Sequence, residues 1–246
     1  MTGILLLGGT TEASALAKAL AMAMAGRDAV FSYAGRTAGP APQPLRQRQG
    51  GFGGVAGLVD YLRDEGISHV VDATHPFAAQ MSANAVAACH EAGVELCALE
   101  RMPWQANEGD DWVMVADMAA AVDALPEQGA RVFLAIGKQN LDVFAVKPGN
   151  HYLLRLVDVP EAALPLPDTE VIIARGPFDA DGDRALMLEH EITHVVAKNA
   201  GGVGAEAKLI AARALGLPVV MINRPQVPAR RILRSVDEVM NWLDHS

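Results

Sequence analysis

The sequence predicts an α/β protein of two doubly wound parallel-sheet domains whose strand ends face a shared cleft. Three observations carry this. Short Val/Ile/Leu runs alternate with Ala/Leu-rich stretches of helical length along the whole chain, the pattern of strands buried on both faces between helices. The runs form two series, separated near 100–111 by a loop containing Pro103, Trp104 and an acidic cluster. Finally, run after run ends on a basic residue: VFSYAGR to Arg36, ELCALER to Arg101, VFLAIGK to Lys138, VIIAR to Arg175, VVAK to Lys198 and VVMINR to Arg224. Ligands of open α/β sheets sit outside the carboxyl ends of the strands, so six such cations are expected around that crevice, facing a ligand with several negative charges. Taken singly, each could equally be a solvated loop residue.

Element by element, the first series reads as a strand at 4–7, a helix over about 11–25 and a strand at 29–33. A Pro-rich loop at 39–44 and a short extended piece near 46–49 follow, then a Gly cluster at 50–54 and a helix over about 55–65. A strand at 69–73 leads to a long helix over 76–92, whose Pro76 occupies a first-turn position, and then to a strand at 95–99. The second series has strands near 112–115, 132–136, 152–157, 171–174, 194–197 and 218–222. The expected division is a nucleotide-binding domain over 1–100 and a substrate-binding domain over 101–246.

The chain has 246 residues, 51% of them hydrophobic and 20% charged, which is ordinary for globular domains. Its formal net charge of −9, from 29 acidic against 20 basic residues, excludes the extended basic face that nucleic acid or an anionic membrane would require. No stretch is long and apolar enough to span a bilayer, and the Ala/Met-rich 13–25 segment lacks a basic n-region and the uninterrupted core of a signal peptide. Cys89 and Cys97 lack metal-ligand spacing and read as buried free thiols in a reducing compartment, which makes the cytoplasm the expected location.

Several turns carry candidate chemistry. Gly8-Gly9-Thr10-Thr11-Glu12 joins a strand to a helix start, so backbone N–H groups and the positive helix end would meet an anion such as a dinucleotide pyrophosphate. The full G-x-G-x-x-G spacing is missing, and a purely structural turn would read the same way. Gly35-Arg36-Thr37 ends the next strand, where NAD-selective sites carry an acid and an Arg accommodates a 2′-phosphate, so NADPH is favoured over NADH. Gly51, Phe52 and Gly53 would let the backbone approach the adenine side, or simply make a turn. In Asp72-Ala73-Thr74-His75-Pro76, Thr74 and His75 border the same crevice, and His75 either donates to the ligand or caps the following helix.

In the second series, Lys198-Asn199-Ala200-Gly201-Gly202 leads to a helix bearing Lys208, making a second anion site with its own cations. Arg175 sits in a third basic turn. Arg155 lies within the strand-like YLLRLV and must meet either an acid or an anionic ligand. His190-Glu191-Ile192-Thr193-His194 satisfies the zinc-protease pattern H-E-x-x-H, but that pattern works only on one helical face. Here the helix is expected to end near His190 and a strand to open at His194, so no metal site is assigned and a zinc hydrolase is a remote alternative.

Taken together and in order, GGTTEA, AGRT, GGFGG-x-x-GL, DATHPFA, ERMPW, ARGPF, KNAGG-x-G-x-x-AKL-x-AA and PVVMINRP resemble the precorrin-6A reductases of cobalamin biosynthesis over nearly the whole chain. The resemblance implies two Rossmann-like domains with NADPH lying between them. It also implies hydride transfer to a tetrapyrrole-derived macrocycle rich in carboxylates. Gly8, Gly9, Thr10, Thr11 and Glu12 would then serve the pyrophosphate and nicotinamide side, and Gly35, Arg36 and Thr37 the 2′-phosphate. Arg155, Arg175, Lys198, Asn199, Gly201, Gly202, Lys208 and Arg224 would meet the substrate, with Lys198 or His75 as proton donor. Where the resemblance leads one to expect an acid after ARGPF, this chain offers Asp183 in DADGD, its role open. Neighbouring enzymes of the pathway are the implied protein partners. The alternatives are the cobalt-containing substrate of the anaerobic pathway and a protein that holds NADPH without turnover. An isomerase or epimerase is weaker, because no Y-x-x-x-K pair follows Tyr152.

Overall fold

The computed structural model describes residues 3–23, 28–34 and 41–245. The expected residues Gly35, Arg36 and Thr37 lie outside them. In chain order the strands and α-helices are β1 (Gly3–Leu7), α1 (Thr11–Ala23), β2 (Asp28–Tyr33), β3 (Arg46–Gln49), α2 (Gly54–Asp64), β4 (Ile67–Asp72), α3 (Ala79–Ala92) and β5 (Glu95–Leu99). They continue with β6 (Trp112–Val115), α4 (Met118–Asp123), β7 (Gln128–Ala135), β8 (Gly149–Leu156), β9 (Thr169–Ile173) and α5 (Ala180–Glu189). The last are β10 (His194–Lys198), α6 (Ala207–Leu215), β11 (Val219–Ile222), β12 (Arg231–Leu233) and α7 (Val236–Asp244).

The chain forms two compact units, residues 1–102 with 226–246 and residues 103–225. Each contains one six-stranded, all-parallel sheet, in the orders β12-β5-β4-β1-β2-β3 and β6-β11-β10-β7-β8-β9. Both follow the 3-2-1-4-5-6 arrangement of dinucleotide-binding sheets, with the sixth place filled unusually. In the first unit a strand from the chain's far end, β12, takes that place beside β5; in the second it falls to β6, the unit's first strand. The expected 101–246 domain therefore loses its last 21 residues to the first unit. Only three residues of β12 pair, too short a run to stand out in the sequence.

Alternation along β1 builds the first core. Ile4 and Leu6 pack toward α1 and α7 with Leu16, Leu20, Val239 and Trp242, while Leu5 and Leu7 face α2 and α3 with Leu58, Leu62, Ala85 and Ala88. All four β1 side chains are at most 2% exposed, as expected for a strand covered by helices on both faces. In the second unit Phe133, Val195 and Ala197 pack on Met187 of α5 and on Leu209 and Ala212 of α6. Burial of the two cysteine thiols pushes both pKa values up to about 12, so neither is a thiolate at neutral pH. The expected helix over 76–92 starts three residues later. Residues 76–78 form a turn closed by Ala78 N–H donating to His75 O at 2.7 Å.

Candidate active site

In each sheet the chain order reverses between two central strands, and there the carboxyl ends open a crevice. In the first unit the reversal lies between β1 and β4. The Thr10 hydroxyl spans it, donating to Ala73 O at 2.9 Å while accepting from Ala13 N–H at 3.1 Å. Thr10 thus caps α1 and fixes the two strand ends to each other. With Ala13 satisfied, the first-turn N–H groups of Thr11 and Glu12 have no acceptor among the described residues and sit at the positive end of a 13-residue helix. Gly8 is required by packing, since a Cβ there would lie 2.1 Å from Phe31 ring carbons. Gly9, at φ +129°, has open space where a side chain would stand.

The Glu12 carboxylate accepts from Arg101 at 2.8 Å and from the Thr11 hydroxyl at 3.0 Å, so a charge that would repel a pyrophosphate is neutralised. Uncompensated N–H groups, an open glycine and a screened acid together fit the pyrophosphate of a dinucleotide. Opposite, the Asp72 carboxylate accepts from Thr74 N–H at 3.2 Å and the Thr74 hydroxyl at 2.7 Å, shaping the turn, and His75 Nδ1 accepts from Phe77 N–H at 3.2 Å. His75 therefore caps the turn and is also exposed at the crevice.

Gly51 and Gly53 lie exposed at the start of α2, but the Phe52 ring turns inward. It stacks under the Arg48 guanidinium at 3.8 Å and packs edge-on to Tyr61, so its side chain anchors the loop. Arg48 holds the loop through Gly50 O at 3.0 Å and Gly51 O at 3.1 Å, and β2 through Ser32 Oγ at 2.7 Å. Desolvation lowers its pKa.

In the second unit the reversal lies between β7 and β10. Lys198 Nζ spans it to Ile136 O at 2.9 Å. Arg224 donates to Asn199 O at 2.9 Å and Ala200 O at 3.0 Å, holding the loop from beneath. The Asn199 side chain brackets Trp104, accepting from its N–H at 2.7 Å and donating to its carbonyl at 3.0 Å, while the Trp104 indole donates to Gly202 O at 3.1 Å. Asn199 and Arg224 thus shape the Gly201-Gly202 turn.

Lys208, 6% exposed, donates to Ala205 O and lies 4.9 Å from the Trp104 ring centroid. It lines a cavity of about 190 Å³ with Arg155, Phe178, Asp183 and Gly137. Of the two partners open to Arg155, the structure contains the acid: a fork onto Asp183, with the guanidinium stacked on Phe178 at 3.6 Å. That pairing gives Asp183, 2% exposed, its role, and means Arg155 brings little net charge to the cavity. Arg175 follows the edge strand β9, away from the reversal, and is exposed beside Asp158 at 3.7 Å. The H-E-x-x-H residues do not share a helical face. His190 follows the end of α5 and meets Glu170 at 3.0 Å, whereas His194 opens β10 beside Thr193.

A family model described as "Precorrin-6x reductase CbiJ/CobK" matches residues 3–244. The chain belongs to the precorrin-6x reductase family. It is 68% identical over 246 residues to the precorrin-6A reductase of Rhodobacter capsulatus, spanning 100% of this chain and 97% of that one. The precorrin-6A reductase of Mycobacterium tuberculosis is 44% identical over 230 residues (93% and 91% covered), and the cobalt-precorrin-6A reductase of Priestia megaterium 32% over 201 (76% of each). The solved structure of a CobK precorrin-6A reductase matches with TM-score 0.95 and 67% identity, over 100% of this chain and 97% of that one.

As a precorrin-6x reductase family member, the chain carries several residues in its first unit that its sequence does not mark. Arg48 lies in a short extended piece on the sheet edge, and Asp72, Glu100 and Arg230 stand in no motif of their own. Their roles depend on partners up to 158 positions apart, which no local pattern encodes. A basic residue just before a three-residue strand is the hint that the sequence offers for Arg230.

Proposed function

We propose that the chain reduces precorrin-6A to precorrin-6B with NADPH, in cobalamin biosynthesis. The observation that carries this reading is the 68% identity to a precorrin-6A reductase over the full chain. The nucleotide falls to the first switch point, where Thr11 and Glu12 N–H groups and the open Gly9 receive the pyrophosphate, and Thr74 and His75 border the nicotinamide. Arg36, with Gly35 and Thr37, is assigned the 2′-phosphate because an Arg follows β2 where an acid would mark NAD. When bound, NADPH supplies the hydride. The protein's tasks are to orient the macrocycle, meet its carboxylates and exclude water.

Substrate carboxylates are assigned to Lys198, Lys208 and Arg175, with Arg155 contributing mainly through its stacked, Asp183-bound fork. Gly201 and Gly202 bring the backbone close. Lys198 is the assigned proton donor: carbonyl contact with Ile136 holds its ammonium at the strand end, ready to protonate the reduced ring. His75 is the rival. Neighbouring pathway enzymes are taken as transient partners.

The test is anaerobic oxidation of NADPH, and separately NADH, on adding precorrin-6A, with the ring's absorbance followed in parallel. Substrate-dependent loss of NADPH, with NADH much slower, is the expected result. Nucleotide binding without oxidation would contradict it. The 32% identity to a cobalt-precorrin-6A reductase makes the cobalt-containing ring the second substrate to try.

A further inference from the structure

The C-terminal segment delivers a buried charge to the first unit. β12 pairs with β5 from Arg231 opposite Cys97 to Leu233 opposite Leu99, and this brings the preceding Arg230 in beside the end of β4. The Arg230 side chain is 10% exposed; it donates to Glu100 Oε2 at 2.9 Å and places Nε 3.8 Å from Asp72 Oδ2. The Asp72 side chain is 2% exposed. Its two oxygens do different things: Oδ1 accepts from the N–H and hydroxyl of Thr74, whereas Oδ2 faces Arg230. Neither Asp72 Oδ2 nor Arg230 Nε has a hydrogen-bond partner, and both residues line a cavity of about 10 Å³ with Thr74, His75 and Ser82. That space is far too small for a nucleotide, so these groups act beneath the turn.

We propose that Arg230 is a positioning residue of the nucleotide half-site: by holding the buried Asp72 carboxylate in place, it sets the Thr74–His75 turn that borders the cofactor. The proposal rests on the NADPH reading above. Asp72 at the end of β4 is faced by Thr74 and His75 of the turn, Ser82 and the Cys89 thiol of α3, the Cys97 thiol of β5, Glu100 beyond β5, and Arg230. Arg234 also meets Glu100, at 4.0 Å from Oε1 and 2.8 Å from its carbonyl. Without Arg230, Glu100 would keep a cation and Asp72 would lose its one ion-pair partner among the described residues. A buried carboxylate without a counter-charge is costly to hold, so the turn it shapes should be strained.

The test is the dissociation constant of NADP+, by calorimetry at one pH, for wild type, Arg230→Gln and Asp72→Asn/Arg230→Gln. For Arg230→Gln the constant should rise about tenfold over wild type, because the buried carboxylate loses its counter-charge. Adding Asp72→Asn, which keeps the acceptor for Thr74 and removes the charge, should bring affinity back to within roughly threefold of wild type. A constant that Arg230→Gln leaves unchanged, or one that Asp72→Asn does not rescue, would reduce Arg230 to packing and overturn the proposal. Should Arg230→Gln fail to fold, Arg230→Lys keeps the cation: a constant close to wild type supports the proposal, and a rise as large as about tenfold overturns it. Absence of NADP+ binding by wild type would instead overturn the cofactor reading itself, and this proposal with it.

Discussion

At the first switch point a threonine hydroxyl crosses from β1 to Ala73 O at 2.9 Å, and at the second a lysine ammonium crosses from β10 to Ile136 O at the same distance. The strand order beneath is the same in both units, with the sixth position filled from outside the usual chain order. The loops differ in how they handle charge. At the first, Arg101 meets Glu12, and Arg230 meets Asp72 and Glu100. The described turn itself presents helix N–H groups, a hydroxyl and an open glycine. At the second, Lys198, Lys208 and Arg224 donate to backbone carbonyls. One sheet order thus carries two differently built loops, the first proposed here for a pyrophosphate and the second for carboxylates.

The most disruptive way to test that contrast is at the one second-site cation paired to a buried acid. Asp183→Ala leaves the Arg155 guanidinium without its partner and should cost about 3 kcal/mol of stability, measured by urea unfolding. Gly8→Ala comes next. A methyl at 2.1 Å from the Phe31 ring overpacks the β1 end, for an expected loss of about 2 kcal/mol together with weaker NADPH binding.

A reciprocal pair then separates the two sites. Thr10→Val should raise the NADPH dissociation constant roughly tenfold and leave substrate binding within about twofold, while Lys198→Met should lower turnover by roughly tenfold or more at unchanged NADPH affinity. Identical profiles for the two variants would erase the proposed division. The smallest effect concerns a pair remote from both crevices, Arg213 with Asp110, at 2.9 Å to each oxygen. Burial pushes the Asp110 carboxyl up, but hydrogen bonds from Arg213 and Asn107 N–H outweigh it and hold the pKa below its ordinary value. Its stabilising contribution is therefore complete above the unfolded-state pKa of about 3.9 and lost as pH falls through the lowered folded value. Arg213→Met should cost about 1 kcal/mol at pH 7, with the gap to wild type closing below about pH 3.

The central strands were legible because burial on both faces makes their inner positions apolar, as in GILLL and in the middle of HVVAK. The short edge strand β12 and helix α7 were not, since three polar-flanked residues carry no period and α7 docks on α1 only after the chain returns. At the sites, the turns themselves could be read from glycine, cation and strand-end placement. The pairing of charges could not. Arg155 with Asp183, Arg101 with Glu12 and Arg230 with Asp72 join residues 28, 89 and 158 positions apart, and only the fold decides which of the available acids each cation meets. Lys198 ends β10 and Arg224 follows its neighbour β11, whereas Arg175 follows the edge strand β9, because strand order rather than sequence order decides which ends are central.

The most direct test of the division between the two switch points is hydrogen exchange, followed by mass spectrometry, on the protein with and without NADP+. Protection concentrated in peptides covering 8–13 and 73–78, with 198–204 little changed, is the expected result. Protection centred on 198–204 instead would contradict it and assign the nucleotide to the cation-lined loop.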